Sequence, residues 1–445
     1  MKKTNIQLSD HFTFKRLLQF TFPAIIMMVF TSLYTMVDGF FVSNFVGKTA
    51  FAAVNFIMPV LLILGAVGLM FGTGGSALIS KTLGEGKEQQ ARELFSLVVY
   101  ALIVCSLILA AIGIFFLRPI AQWMGAEGEL LKDSLIYGRI ILAALPFNML
   151  QYGFQCLFAS AEKPRLGLYI TVAAGITNIV LDALFVAGFD WGLAGAAIAT
   201  AFSQFVGGIL PLLYFSQKNT SRLRLVKCPF NGRALRKICI NGSSEFMGEM
   251  SSSLVSILYN LQLMAYVGED GVAAYGVLMY VAYIFQSIFI GYSIGGAPIV
   301  GYHYGAGNHQ ELKNLRKKNL SLIAIFSLLM FIFGQTLAKP MSRGFVGYDA
   351  VLFDMTVHAF VLFSFSFLMS GFSIYASSFF TALNDGVTSA LIAFLRTFIF
   401  RCILVLILPL FWGLDGIWLS AVLAEALAIL VSAGFFIGKR KKYHY

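Results

Sequence analysis

The stretch Gly72–Gly86 reads GTGGSALISKTLGEG, and 221 residues later Ser293–Gly307 reads SIGGAPIVGYHYGAG. Gly74, Gly75, Gly84 and Gly86 fall on Gly295, Gly296, Gly305 and Gly307 without a gap. A glycine-rich run around Lys81 invites comparison with a phosphate loop. It lacks the G-x-x-x-x-G-K-[ST] spacing, no strand precedes it, and the later copy has no lysine. Close helix packing that ends in a tight turn fits both copies better.

The same shift of 221 aligns other landmarks. Phe45-Val46-Gly47 falls on Tyr266-Val267-Gly268, Ala52-Ala53 on Ala273-Ala274, and Arg118-Pro119 on Lys339-Pro340. Trp191-Gly192-Leu193 and Gly195 fall on Trp412-Gly413-Leu414 and Gly416. One offset holding over most of the chain marks a duplicated architecture. Composition says in which solvent. Only 12% of the residues are charged, 58% are hydrophobic, and Phe occurs 44 times. A soluble chain of this length needs more charge to cover its surface.

A helix crosses the hydrocarbon core with roughly 20 apolar residues and satisfies its own backbone there. Such runs lie near 17–43, 50–79, 94–117, 135–158, 166–188 and 192–215, then near 238–266, 272–299, 320–338, 357–381, 387–411 and 413–437. The predicted fold is an all-α membrane protein of twelve transmembrane helices, in two six-helix bundles related by a pseudo-twofold parallel repeat. Residues 1–215 would form the first lobe, 216–237 a basic cytoplasmic linker, and 238–445 the second lobe with a cytoplasmic tail. Lys2 and Lys3 precede a first run too long for a cleavable signal, so that run reads as a retained helix.

Orientation follows the lysines and arginines. Alternate segments, starting from the N-terminus, hold 24 of them, and the intervening loops hold only Lys48, Arg118, Lys132, Lys339 and Arg343. Both termini are thereby placed in the cytoplasm of a multi-pass plasma (inner) membrane protein. The net charge of +11 is a topology signal, not a nucleic-acid footprint. The densest cluster, Lys218 to Lys237, would also meet anionic lipid headgroups. Cys105, Cys156, Cys228, Cys239 and Cys402 are scattered and give no metal or disulfide pattern.

Charge inside a span is costly and so points to function. Asp38 in the first span and Asp182 in the fifth each lie about six residues from the outer end, roughly 9 Å deep at the helical rise. Tyr34 and Asn178 sit one turn further in on the same faces, and Thr200 of the sixth span falls at a similar depth. Two carboxylates with hydroxyl and amide neighbours suit a proton or cation site, since burial and proximity both disfavour double ionisation. The alternative is that each aspartate caps a helix end or bonds a nearby backbone. Their repeat counterparts are Tyr259, Ile399, Ile403 and Ala421, so the scaffold itself does not demand the acids.

The second half carries different charges. Glu245 and Glu249 are one turn apart on the seventh span, in its cytoplasmic part. Arg396 and Glu425, on the eleventh and twelfth spans, fall at nearly equal depth and are expected to pair. Arg401 is close enough in sequence to join them or to meet substrate. Arg139 and His358 lie near outer ends and are expected to reach water.

The segments YTMVDGFFVSNFVG (Tyr34–Gly47), NIVLDALFVAGFDWGLAGAAIAT (Asn178–Thr200), GYHYGAGN (Gly301–Asn308) and SFFTALNDG (Ser378–Gly386) resemble those of the multidrug and toxic compound extrusion (MATE) transporters. The resemblance covers nearly the whole chain and looks closest to the MepA-like bacterial branch. It implies a V-shaped pair of bundles, acting as a monomer without a cofactor. These would export cationic or amphipathic small molecules in exchange for H+ or Na+ by alternating access. It also implies a first-lobe cation site at Tyr34, Asp38, Asn178, Asp182 and Thr200, with no metal beyond Na+ at Asp38 and Asp182. An acidic residue that some branches carry on the tenth span is missing, because Ala359–Thr381 holds no Asp or Glu. Fold alone does not separate an antiporter from a flippase for lipid-linked saccharides or other lipids. A basic cavity would favour the flippase, and the acids of the first half favour export of cations. No HExxH, nucleophile constellation or selectivity-filter motif supports an enzyme or a channel.

Overall fold

The structure is a computed structural model that describes residues 6–347 and 349–445; Lys2 and Lys3 lie outside the described residues, and of Lys48 only the backbone is described. The first half runs through α1 (Phe14–Phe41), α2 (Lys48–Gly84), α3 (Glu88–Trp123), α4 (Gly128–Ser160), α5 (Pro164–Asp182) and α6 (Gly192–Ser216). The second runs through α7 (Gly232–Val267), α8 (Glu269–Gly305), α9 (His309–Val346), α10 (Ala350–Ser364) and α11 (Phe367–Ala382). It continues with α12 (Gly386–Phe394), α13 (Phe400–Ile407), α14 (Pro409–Trp412) and α15 (Leu414–Gly438), and ends in the short α16 (Arg440–Tyr443). Three π-helical segments interrupt this series: Val42–Val46 after α1, Ala183–Gly188 after α5, and Leu395–Ile399 between α12 and α13.

Among the described residues, ten helical spans are individually long and apolar enough to cross a membrane. The pair α10 and α11, bent by 49° at its break, makes an eleventh. The twelfth is α7. Its 36 residues reach about 54 Å at the helical rise. Arg233, Arg236 and Lys237 in its first turns, and Glu245 and Glu249 further in, dilute its apolar character. It starts at Gly232, earlier than its apolar run, because Asn231 caps it by accepting from the Ala234 amide at 3.0 Å. The arrangement is the expected one, two bundles of six spans.

The repeat also explains its own landmarks. Gly192 and Gly413 both adopt φ 56°, where a side chain would be strained, so the two Trp-Gly-Leu turns are the same turn built twice. The halves meet where α2 packs on α7 and α8 and where α1 packs on α8. A Cβ on Gly84 would lie 2.0 Å from the Tyr302 carbonyl oxygen, and one on Gly305 would lie 2.0 Å from that of Lys81. These contacts are repeat mates of each other, so α2 and α8 cross on the pseudo-twofold axis with no room for a side chain. Gly242 of α7 approaches Met70 of α2 in the same way. All three approaches lie toward the face that bears both termini, the basic face hereafter.

Loops and termini gather on that face. Tyr445 is fully buried and packs edge-on to Phe379. Lys439 reaches Asp385 at 2.6 Å, and the Tyr443 hydroxyl donates to the same carboxylate at 2.8 Å. The linker is pinned to α3: Arg92 Nε donates to the Arg222 carbonyl at 2.8 Å, and the Val226 amide donates to Ser96 Oγ at 2.8 Å.

Candidate functional site

Asp38 sits in the last turn of α1 and Asp182 ends α5, each just ahead of a π-helical segment. A π segment shifts the helical register, and such segments concentrate at functional sites. Asp38 is 8% exposed and Asp182 0%. The two carboxylates are close enough to feel each other's charge. Thr200 of α6 donates to Asp38 Oδ1 at 3.4 Å, and Asn178 of α5 approaches Thr200 Oγ1 at 3.5 Å. Neither oxygen of Asp182 receives a hydrogen bond among the described residues. A buried carboxylate without a donor is expensive if ionised, so the pair is suited to sharing a proton or a cation.

A cavity of about 120 Å³ opens beside them. Tyr34, Asp38, Asn178 and Thr200 line it, whereas Asp182, fully buried next to Asp38, does not reach it. The structure therefore brings together all five residues singled out in the first half. It adds a set from α4 that sequence reasoning missed: Tyr137, Asn148, Gln151 and Tyr152. Ser203 and Gln204 extend the α6 wall beyond Thr200. A signal existed, since Asn148, Gln151, Tyr152 and Gln155 repeat at three- and four-residue spacing along one face of an otherwise apolar span. Gly175 lets the rings of α1 close over the site, because a Cβ there would lie 2.4 Å from Phe30.

The corresponding place in the second half is filled. Asp38 is replaced by Tyr259, whose hydroxyl lies 2.6 Å from Ser420 Oγ and whose ring stacks on Tyr275. Gly175 is replaced by Arg396, and Gln204 by Glu425. Arg396 Nε donates to both oxygens of Glu425, at 3.0 and 2.9 Å, and Arg401 donates to Oε1 at 3.1 Å. The expected Arg396–Glu425 pair is present, and Arg401 joins it. Glu425 is completely buried, and this local neutralisation closes the mirror image of the first-half cavity with ionic packing.

Glu245 and Glu249 of α7 are hydrogen-bonded into neither cluster, but Glu245 feels the charge of Arg396, and Tyr152 in the first-half cavity feels that of Glu249. Glu245 lines a small space of about 50 Å³ between the halves, with Thr73, Ser76 and Cys156 on one side and Ser293 and Thr381 on the other. Among the outer charges, His358 lies 2.8 Å from Asp415, and Arg139 is exposed. The five cysteines are unpaired. Among the described residues no group of three or more His, Cys, Asp or Glu is placed to hold a metal ion.

Comparison with known proteins agrees with this architecture. A family model described as MatE matches residues 23–184 and, again, residues 246–407. The multidrug export protein MepA of Staphylococcus saprophyticus is 25% identical over 423 residues, 94% of this chain and 92% of that protein. A crystal structure of MATE in complex with MaL6 superposes with a TM-score of 0.92 at 20% identity, covering 99% of both chains. The outward-facing conformation of a multidrug resistance MATE family transporter of the MOP superfamily gives 0.89 at 22% identity, over 100% of this chain and 98% of that one. With both halves matched by the family model, the chain belongs to the MatE family, the multidrug and toxic compound extrusion proteins, and is a membrane transporter rather than an enzyme.

Proposed function

We propose that this chain is a secondary active antiporter that exports cationic or amphipathic small molecules across the plasma membrane in exchange for H+ or Na+. The observation that carries the proposal is the Asp38–Asp182 pair, buried without a donor for Asp182 and facing, through Asp38, a cavity of mixed apolar, hydroxyl and amide lining. The name of the Staphylococcus relative, a multidrug export protein, supports the substrate class. On this reading the basic face is cytoplasmic, residues 1–215 and 238–445 are the two moving lobes, and the protein works as a monomer.

The chemistry follows from electrostatics. With no cation bound the pair carries negative charge and attracts a cationic substrate. A proton or Na+ held between Asp38 and Asp182, with Thr200 and Asn178 as neutral oxygen and amide partners, cancels that charge and lets the substrate leave. The two ligands then oppose each other through one site, which is the thermodynamic requirement for exchange. Tyr34, Tyr137 and Tyr152 offer ring faces to an organic cation in the same cavity. The flippase reading loses support here, because Arg396 and Arg401 both bond Glu425 and line none of the cavities described above.

Purified protein in liposomes, given a proton gradient or a sodium gradient separately, tests the proposal. Export of an organic cation should follow one of the two gradients and vanish in Asp38→Asn. Export by that variant at the wild-type rate, with unchanged ion dependence, would remove the pair from the mechanism.

A further inference from the structure

Residues 6–13 lie ahead of α1, and nothing in the export reaction calls on them. They are nevertheless firmly held. Leu8 and Phe12 are fully buried while Gln7, Ser9 and His11 are exposed, so the segment lies on the basic face with two side chains plugged in. The two plugs belong to different halves. The Leu8 amide donates to Glu162 Oε1 at 2.8 Å, in the turn between α4 and α5 of the first half. The Phe12 amide donates to Glu311 Oε1 at 3.0 Å, in the first turn of α9 of the second half. Lys318 and Asn314 of α9 donate to the Phe12 carbonyl at 2.6 and 3.3 Å, and His11 Nδ1 lies 2.7 Å from Glu311 Oε2. The Phe12 ring meets His303 of α8 edge-on. On the first-half side, Arg222 approaches both Glu162 and Gln7, at 3.8 and 3.4 Å.

Two carboxylates from opposite lobes thus grip one short backbone segment. Residues 7–10 form a turn, closed by the Asp10 amide donating to the Gln7 carbonyl at 3.2 Å. Even fully extended, the four-residue step between the plugs reaches only about 13 Å, so the two grips can part no further than that before one must release. It crosses the same face on which Gly84 and Gly305 bring α2 and α8 into backbone contact. The linker before α7 docks on α3 in the mirrored manner, but it is covalently bound to both lobes and has to travel with them. The segment before α1 is covalently continuous with the first lobe, and its hold on the second lobe, through Glu311, Asn314 and Lys318, is noncovalent. We propose that residues 6–13 are a clasp that holds the lobes closed on the basic face, and that opening this face requires release from Glu162 or Glu311. The inference rests on the alternating-access reading for its purpose, but its test needs neither substrate nor coupling ion.

Ala77 of α2 is buried where the lobes meet on the basic face, and serves as the reporter. In a background without native cysteines, Ala77→Cys is labelled with a charged maleimide in inside-out vesicles, where the basic face is outward. Glu311→Ala should raise the labelling rate about tenfold, the loss of one charge-assisted hydrogen bond network from the closed state, and Glu311→Gln should fall in between. Glu162→Ala should act in the same direction. In a separate protein that keeps Glu311, His11→Cys with Asn314→Cys, the latter beside the Phe12 carbonyl at 3.3 Å, bridged by a short reducible bifunctional reagent, should stop export and recover on reduction. Unchanged labelling in Glu162→Ala and Glu311→Ala overturns the clasp. So does full export by the bridged protein, which also covers the case of a Glu311→Ala chain that fails to fold. If export is absent throughout while labelling responds as expected, the transport reading fails and the clasp stands.

Discussion

Asp182 keeps both carboxylate oxygens buried with no described donor, so a neutral replacement relieves desolvation instead of breaking a pair. Asp182→Asn and Asp38→Asn should therefore reach the membrane in normal amounts and still lose gradient-driven export. The double variant should be little worse than either single, as expected for groups that act as one unit. Radiolabelled substrate efflux, normalised to surface protein, checks both halves of the statement. Glu425 predicts the opposite: it faces two guanidiniums, and Glu425→Gln leaves them buried against a neutral amide. A loss of about 3–5 kcal/mol of stability is expected, seen as lowered expression and melting temperature before any change in coupling. Asp385, outside the spans, gives a pH signature. Burial alone would raise its pKa, but Lys439, Tyr443 and Thr388 hold it below the usual carboxylate value. The stabilisation is thus complete above about pH 4, the unfolded value, and fades as pH falls through the lower folded value. Melting curves in detergent should show this acid loss in the wild type and less of it in Asp385→Asn. The first-half aspartates were legible because charge in a span is rare and the helical rise assigns depth. Tyr137 was not, because it stands outside the polar stripe of Asn148, Gln151, Tyr152 and Gln155, and that stripe marks a face of α4 without showing what the face meets.

Helix identity was readable from apolar run lengths, whereas the interruptions were not. The break between α10 and α11 falls at Phe365 and Ser366, with neither proline nor glycine to announce it. The π segments likewise have no residue signature, since one inserted residue per turn is settled by packing. They matter all the same: Asp38 and Asp182 each precede one, and Arg396 lies inside the third. The crossing glycines were legible as a repeat but not as a contact, because only the fold shows that Gly84 faces Tyr302 and Gly305 faces Lys81. Gly84→Val forces a branched side chain against a backbone carbonyl that cannot step aside. The closed arrangement of the basic face should become the less favoured one, and Ala77→Cys in that background should label faster from that face. Gly344, with open space around its Cβ position, provides the control: Gly344→Ala should leave the labelling unchanged.

For the molecule as a whole, the apolar runs and the repeat give the number of spans, and the orientation that the lysine and arginine count implies is open to direct test. Single cysteines at Lys132 and Asp270 should react with impermeant thiol reagent from outside intact cells, and cysteines at Lys87, Arg224 and Lys441 only after permeabilisation. Reaction of the Arg224 cysteine in intact cells would invert the assignment. The lobes share a backbone plan but not a charge plan. That difference was half visible in the sequence, where Tyr259 stands in for Asp38. What remained hidden was that Arg396 and Glu425 occupy the counterparts of Gly175 and Gln204, since only packing shows that the mirrored space is filled.

The filled space has an electrical side. Two guanidiniums answer one carboxylate around Glu425, so this cluster carries a surplus of one positive charge within the bilayer, separate from the charge that Glu245 and Glu249 of α7 hold. Any rocking that carries this lobe toward or away from the cytoplasm moves that charge through the membrane field, at about 2.3 kcal/mol per elementary charge for each 100 mV crossed. A voltage negative inside then favours whichever orientation holds Arg396 and Arg401 deeper. On the antiport proposal, even a partial displacement would make the resting potential a third input to the conformational equilibrium, beside ion and substrate. Exchange that is electrically silent in its bookkeeping of cargo can still run at a voltage-dependent rate, because the carrier itself is a moving charge.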